Sequence, residues 1–170
     1  MKILPQKAQD RVQELDVQIR RATRDDVVDI VRLLADDPLG SQREDYCNPL
    51  PASYYEAFEE IDEDPNNELV VVEANGEIIG TLQLTFVPSM SFQGGKRAQI
   101  EGVRMDDRYR SQKIGSRLIE WAIQRAREEN CRMVQLTTNA ERADAQRFYQ
   151  RLGFVSSHAG MKLDLRKKEQ

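Results

Sequence analysis

Arg108, Arg110, Lys113 and Arg117 crowd into the stretch RYRSQKIGSRL together with a lone glycine, Gly115. Upstream, IEGVRM alternates as a strand does, and downstream LIEWAIQRAREEN places apolar residues at helical spacing. A strand that turns into a helix leaves the first backbone N–H groups of the helix without acceptors, and the helix dipole adds partial positive charge there. Such a helix start attracts phosphate groups. Arg108, Arg110 and Lys113 add full charges, while Gly115 has no Cβ to obstruct a close approach. One exposed charge at a helix end contributes only about 0.3–1 kcal/mol, so holding a pyrophosphate needs several donors at once. Two other phosphate-loop readings fail. QGGKR ends as a Walker loop does, but Arg97 follows Lys96 and no glycine stands five places before Gly95. A dinucleotide fingerprint requires three glycines where this turn has one.

The remaining composition narrows the field. A chain of 170 residues with 39% hydrophobic and 32% charged residues fits one soluble domain with a real core. No apolar run reaches the length of a membrane span, and the first residues lack the apolar centre of a signal peptide. Cys47 and Cys131 lie far apart, and His158 is the only histidine, so a zinc site is poorly supplied. We therefore expect a cytoplasmic protein with reduced thiols, no metal and no membrane partner. A net charge of −4 argues against nucleic acid as a partner. The acidic run EAFEEIDEDPNNE, Glu56 to Glu68, reads either as a solvated helix end or as a wall that attracts cationic substrates.

The elements that must position the basic loop can be read in order. The first 16 residues form a polar N-terminal extension, and residues 17–170 form the domain. VQIRRAT is a strand; Thr23 and Asp26 form a capping box ahead of a helix from Arg24 to Ala35, with Val27, Ile30, Val31 and Leu34 on one face. A second helix is expected over Ala52 to Ile61. ELVVVEA and IIGTLQLTFV flank Asn75-Gly76, a strong hairpin signal. KRAQIEGVRM is a further strand, followed by the helix after the basic loop, with Trp121 in its core face. CRMVQLTT is a strand, ADAQRFYQRLG a helix closed by Gly153, and FVSSHAGMKLDL a closing strand pair or one bent strand. The order is that of one mixed α/β domain.

VRMDDRYRSQKIGSRLIEWA resembles the acetyl-coenzyme A signature of the GNAT superfamily of N-acetyltransferases. Arg110 takes the first position of that signature and Gly115 the last. Lys113 replaces its first glycine, and Ser111 replaces a glycine common just after the arginine. RADAQRFYQRLGF resembles the second conserved block, matched at Ala145, Phe148, Tyr149, Leu152, Gly153 and Phe154; Arg142 stands where many members have asparagine. The similarity in element order runs from Gln18 to Leu165. It implies a mostly antiparallel central sheet, flanked by helices, with a parallel pair splayed at the cofactor site. Lacking the freedom of glycine, Lys113 is expected to use ordinary dihedrals; its ammonium either meets the phosphates or points to solvent.

The resemblance also implies chemistry: transfer of an acetyl group from acetyl-CoA to a primary amine of a small molecule or protein, by direct attack. The cofactor would lie along Val103, Arg104 and Met105, on the run Arg110, Ser111, Gln112, Lys113, Ile114, Gly115 and Ser116, and against Phe148. A lysine-like amine with a pKa of about 10.4 is protonated at neutral pH, so a base is needed. The departing thiolate benefits from a proton donor, and Tyr149 occupies the position where family members place one. For the base, strand alternation puts Gln99, Glu101, Val103 and Met105 on one side, and Glu101 is the candidate. Its other reading is an exposed edge carboxylate or a partner for Arg104. Asn139 either supports the amide network at the cofactor or marks the turn before the last helix. His158 reads as a strand or loop histidine and Cys131 as structural. The acceptor is expected to be set by residues 36–65 and by PSMSFQGGK. A homodimer is compatible with the resemblance. The rival reading is a non-catalytic acetyl-CoA-binding sensor or partner-binding module on the same fold.

Overall fold

The computed structural model describes residues 16–139 and 142–165; of the polar extension only Asp16 falls among them. Chain order is β1 (Val17–Arg21), α1 (Val27–Ala35), α2 (Ala52–Glu63), β2 (Asn67–Ala74), β3 (Glu77–Val87), a single turn α3 (Ser91–Gly94), β4 (Arg97–Met105), α4 (Ile114–Glu128), β5 (Met133–Leu136) and α5 (Ala143–Arg151). The strands form one sheet in the order β1-β2-β3-β4-β5. Every pair is antiparallel except β4 with β5, which is parallel. This is the mixed sheet the sequence predicts. No helix among the described residues is long and apolar enough to cross a membrane.

Local signals account for most boundaries. Asp26 accepts from the Thr23 backbone N at 2.7 Å and from Thr23 Oγ1 at 2.9 Å, so the expected box forms. Arg20 of β1 clamps the same carboxylate from the other side, at 2.7 and 2.9 Å. Asn75 and Gly76 both take positive φ, 51° and 80°, the geometry a two-residue hairpin favours.

Helices cover both faces of the sheet. On one, Leu118, Ile119 and Ala122 of α4 are fully buried against Val70, Val72, Leu82, Leu84 and Ile100, with α5 packed beside them. On the other, α1 and α2 bury Val31, Leu33 and Phe58 against Val71 and Ile78. Arg125 ties the end of α4 to β2 through two bonds to Glu68, at 3.1 and 2.6 Å.

Two features depart from expectation. Gln83 of β3 pairs with Glu101, but Thr81 pairs with Arg104, so one residue of β4 is extra. Gly102, at φ 61°, absorbs it as a bulge. The extra residue reverses the alternation. Ala98, Ile100, Val103 and Met105 all face the α4 core, whereas Gln99, Glu101 and Arg104 share the opposite face with Gln83 and Thr85. Glu101 and Val103 therefore do not line one side, as simple period-two counting has it.

The second departure is FVSSHAGMKLDL, which forms no strand. Phe154 stacks edge-on to Tyr149, with centroids 5.8 Å apart. Beyond it, Val155, Met161, Leu163 and Leu165 are exposed. Period-two patterning specifies a face but makes no ladder by itself, and β5 offers only four residues of edge.

Candidate active site

The sheet opens where β4 and β5 part. Their last paired residues are Ile100 and Leu136, and β4 runs on from Glu101 to Met105 without a partner on that side among the described residues. The backbone N–H and C=O groups of that stretch can pair with an extended amide chain. At its end stands the basic loop, and the first bonded N–H of α4 belongs to Arg117, which reaches Lys113 O at 3.1 Å. The N–H groups of Ile114, Gly115 and Ser116 precede any intrahelical acceptor.

The loop reaches this shape by a route the sequence reading did not foresee. Lys113 is left-handed, at φ 62° and ψ 5°, and Ser111 has φ 65°. The expectation of ordinary dihedrals at Lys113 is wrong. Both positions keep the backbone conformation that the resembling signature fills with glycine, at a cost of order 1 kcal/mol for each non-glycine residue. A left-handed residue followed by a right-handed one, as Lys113 is by the first residue of α4, turns successive N–H groups to one side, the concave arrangement that binds anions. At Gly115 a Cβ would lie 3.8 Å from both Met105 Cγ and Phe148 Cζ, ordinary contact distances. The fold itself does not demand glycine there.

Asp106 holds the loop in place. It is buried, and its backbone N donates to Ile79 O at 2.8 Å. Its carboxylate accepts from the Arg108 backbone N at 3.0 Å, Arg108 Nε at 3.0 Å and Arg108 Nη2 at 2.7 Å, with Arg32 Nη1 at 3.6 Å. The Arg108 guanidinium overcomes burial and holds this carboxyl down at about 2. Arg108 also bonds Glu77, so it anchors the loop and is not one of the free phosphate-facing charges expected of it. Arg110 pairs with Asp107 at the loop surface. The Asp106 signal was legible only as an Asp preceding a turn.

We predict that Asp106→Asn lowers stability by about 1–3 kcal/mol at neutral pH, the usual cost of losing a charged hydrogen-bonded partner, and weakens acetyl-CoA binding. A folded value near 2 lies below the unfolded value of about 3.9. The stabilisation is therefore complete above pH 4 to 5 and fades as pH falls toward 2. Denaturant titrations from pH 7 to pH 2 should show the two proteins converging in acid; a constant gap would refute the anchor.

On α5, Tyr149 lies edge-on to Phe148 at 5.2 Å between centroids. Burial raises its phenol above the ordinary value, partly offset by the nearby charges of Arg142 and Arg104. Its O–H is therefore intact throughout the physiological range and can donate. Phe148 meets the start of α4 beside Gly115. Glu101 is exposed, on the face turned toward α1 and α2. Arg104 does not pair with it; Arg104 Nε lies 3.5 Å from Asp37 Oδ2 instead. Around Glu101 the sheet is a polar shelf. Asn67 Oδ1 accepts from Gln83 Nε2 at 3.1 Å and Thr85 Oγ1 at 2.6 Å, and Gln135 Nε2 donates to Gln99 Oε1 at 2.6 Å.

The lesser candidates fall in place. Asn139 O accepts from Arg142 N at 3.0 Å, marking the turn before α5. His158 is exposed and bonds Ser157 at 2.8 Å. Cys131 packs on the core, and burial pushes its thiol up, away from reactivity. In the acidic run, Glu56, Glu59, Glu60, Asp62 and Glu63 are exposed along α2, and Arg24 lies 3.3 Å from Glu59, the solvated-helix alternative.

Comparison with known proteins bears on the whole arrangement. A family model described as acetyltransferase (GNAT) family matches residues 32–154. An aminoalkylphosphonate N-acetyltransferase of Salmonella typhimurium is 36% identical over 98 residues, 56% of this chain and 61% of that protein. The match thus spans less than two thirds of that relative. A crystal structure described as a transcriptional regulator from Bacillus halodurans C-125 is 52% identical, with a TM-score of 0.86, covering 88% of this chain and 99% of that one. A crystal structure described as a predicted acetyltransferase with acetyl-CoA from Clostridium acetobutylicum shares the fold at 17% identity and a TM-score of 0.68, over 88% of this chain and 96% of that one.

Proposed function

The chain belongs to the GNAT acetyltransferase family, and from that membership we propose that it transfers an acetyl group from acetyl-CoA to a primary amine. The observation that carries this reading is the unpartnered stretch of β4, Glu101–Met105, ending at the left-handed loop and the start of α4. A pantetheine arm has amides to pair with such a strand edge, and its pyrophosphate suits the inward N–H groups of residues 111 to 116. Val103, Arg104 and Met105 supply the edge, and Phe148 closes the start of α4. Acetyl-CoA brings a thioester, whose acetyl carbon is open to direct attack.

The protein's part is proton management. Glu101, on the open polar shelf, takes the proton that the acceptor ammonium must lose before its nitrogen can attack. Tyr149, protonated because burial raises its phenol, gives a proton to the departing thiolate and is restored by the second proton that the nitrogen sheds as the amide forms. The amine approaches from the α1–α2 face, where Glu101 lies, and the cofactor from the α4 face, where Met105 and Phe148 lie.

A second reading has one observation in its favour: the 52% identical structure is described as a transcriptional regulator. On that reading the loop binds acetyl-CoA as a signal and no transfer follows. Following thiol release from acetyl-CoA with a panel of primary amines separates the two. Amine-dependent release is expected. Binding of acetyl-CoA with no release for any amine would leave only the regulator.

A further inference from the structure

Asp37, just past the end of α1, joins three elements at the proposed site. Its Oδ1 accepts from the backbone N of Leu39, at 2.9 Å, and of Gly40. Its Oδ2 is buried and accepts no hydrogen bond among the described residues. Toward that oxygen point two guanidiniums from different elements, Arg104 Nε of β4 at 3.5 Å and Arg142 Nη2 at the cap of α5 at 3.8 Å. Burial raises the Asp37 carboxyl, but the Gly40 N–H, the two arginines and the Leu39 N–H outweigh it, so the group is ionised.

The charges do not cancel. Among the described residues, one carboxylate faces two guanidiniums, leaving a net positive charge beside the Tyr149 hydroxyl, on which both arginines act. Neither arginine is spent on Asp37. The distances are those of ion pairs and not of hydrogen bonds; Arg104 Nε is buried with no acceptor among the described residues, while Arg104 Nη1 donates to Val103 O at 2.9 Å. Arg142 is 43% exposed, so part of its planar fork of donors is open to solvent. A site of this kind is complementary to an anion that can take two parallel N–H bonds, a carboxylate, phosphate or phosphonate. Its neighbours fix the geometry of use. Arg104 shares the sheet face of Glu101, and Arg142 opens the helix that carries Tyr149.

We propose that Arg142 and Arg104, set by Asp37, form a subsite for the anionic group of the acceptor, so that the preferred substrates are short amines bearing a carboxylate, phosphate or phosphonate. This rests on the acetyl-transfer reading and names its substrate class. The anion is held at the arginines, and the amine of the same molecule falls near Glu101. A polyamine or other purely cationic acceptor meets repulsion there.

The test compares 2-aminoethylphosphonate and β-alanine with ethanolamine and 1,2-diaminoethane. Calorimetry on the full chain saturated with coenzyme A keeps the phosphate loop filled and reads acceptor binding without needing turnover. The anionic amines should bind at least tenfold tighter than the other two, and R142Q should bring the ratio close to one, while R142K restores part of it. R142E should reverse the order in favour of the diamine. Thermal melts accompany each variant; an R142Q protein that melts with the wild type and still prefers the anionic amines overturns the subsite. Equal binding of all four amines to the wild type overturns it as well. Arg142-dependent binding of the anionic amines with no thiol release from acetyl-CoA upholds the subsite and defeats the transfer reading instead.

Discussion

Tyr149→Phe is expected to lower turnover by about 10²-fold or more, while the dissociation constant for acetyl-CoA stays within about twofold. The ring remains: its edge contacts with Phe148 and Phe154 involve carbon atoms that phenylalanine retains. Only the proton donor is lost. A thiolate leaving into a buried site without a donor bears its full charge in the transition state, where low dielectric makes that charge costly. The sign of the pH dependence follows from the same burial. Because the phenol lies above its ordinary value, the acid form persists through neutral and mildly alkaline pH, and any fall in wild-type turnover below about pH 9 belongs to another group. Single-turnover measurements with acetyl-CoA in excess would isolate the chemical step. An unchanged rate for that step removes Tyr149 from the chemistry and leaves it a packing role.

What could be read from the sequence, and what could not, divides along locality. The capping pair Thr23 and Asp26, the Asn75-Gly76 turn and the amphipathic stripe of α4 are set by residues within a few positions of one another, and all three form as expected. The signature around Arg110 to Gly115 marks the loop, but residue type alone does not reveal the left-handed backbone of Lys113. A lysine tolerates φ 62° when its surroundings fix the loop, and here Asp106 fixes it through Arg108 and the Ile79 carbonyl. That anchor spans β3 and β4, and nothing in residue spacing announces it. Gly102 did carry a signal. A lone glycine inside a strand pattern marks a bulge, and counting it as one would have put Glu101 on the face of Arg104 rather than of Val103. The cluster of Asp37, Arg104 and Arg142 was out of reach, because its members lie on three separated elements brought together only by folding. The opposite error occurred at residues 154 to 165, where alternation suggested a strand and no ladder forms.

The bulge gives Glu101 its meaning, and with it the second large effect. Without the extra residue at Gly102, Glu101 would stand on the same face as Val103 and Met105, which pack on the α4 core. With it, the carboxylate lies exposed on the shelf beside Gln83 and Gln99, the side we propose for the amine. We predict that Glu101→Gln lowers turnover about 10²- to 10⁴-fold near neutral pH, the usual range for loss of a general base. Glutamine keeps the shape and can still hydrogen-bond, but it cannot take a proton. The deficit should shrink steadily as pH rises toward the pKa of a free alkyl amine, about 10.4, because the substrate then supplies its own neutral form. The acidic limb of the wild-type profile should give way in the variant to a rise set by the amine's own pKa, about 10.4. A deficit that is the same at every pH would mean that Glu101 orients the amine without deprotonating it. A variant that retains the limb would transfer the role of base to another group, reached through water along the shelf. Gly102→Ala offers an independent approach to the same residue. A Cβ at φ 61° is strained, and any relaxation that removes the bulge moves Glu101 to the core face, so this variant should lose turnover in the same pH-dependent way while Tyr149 is untouched.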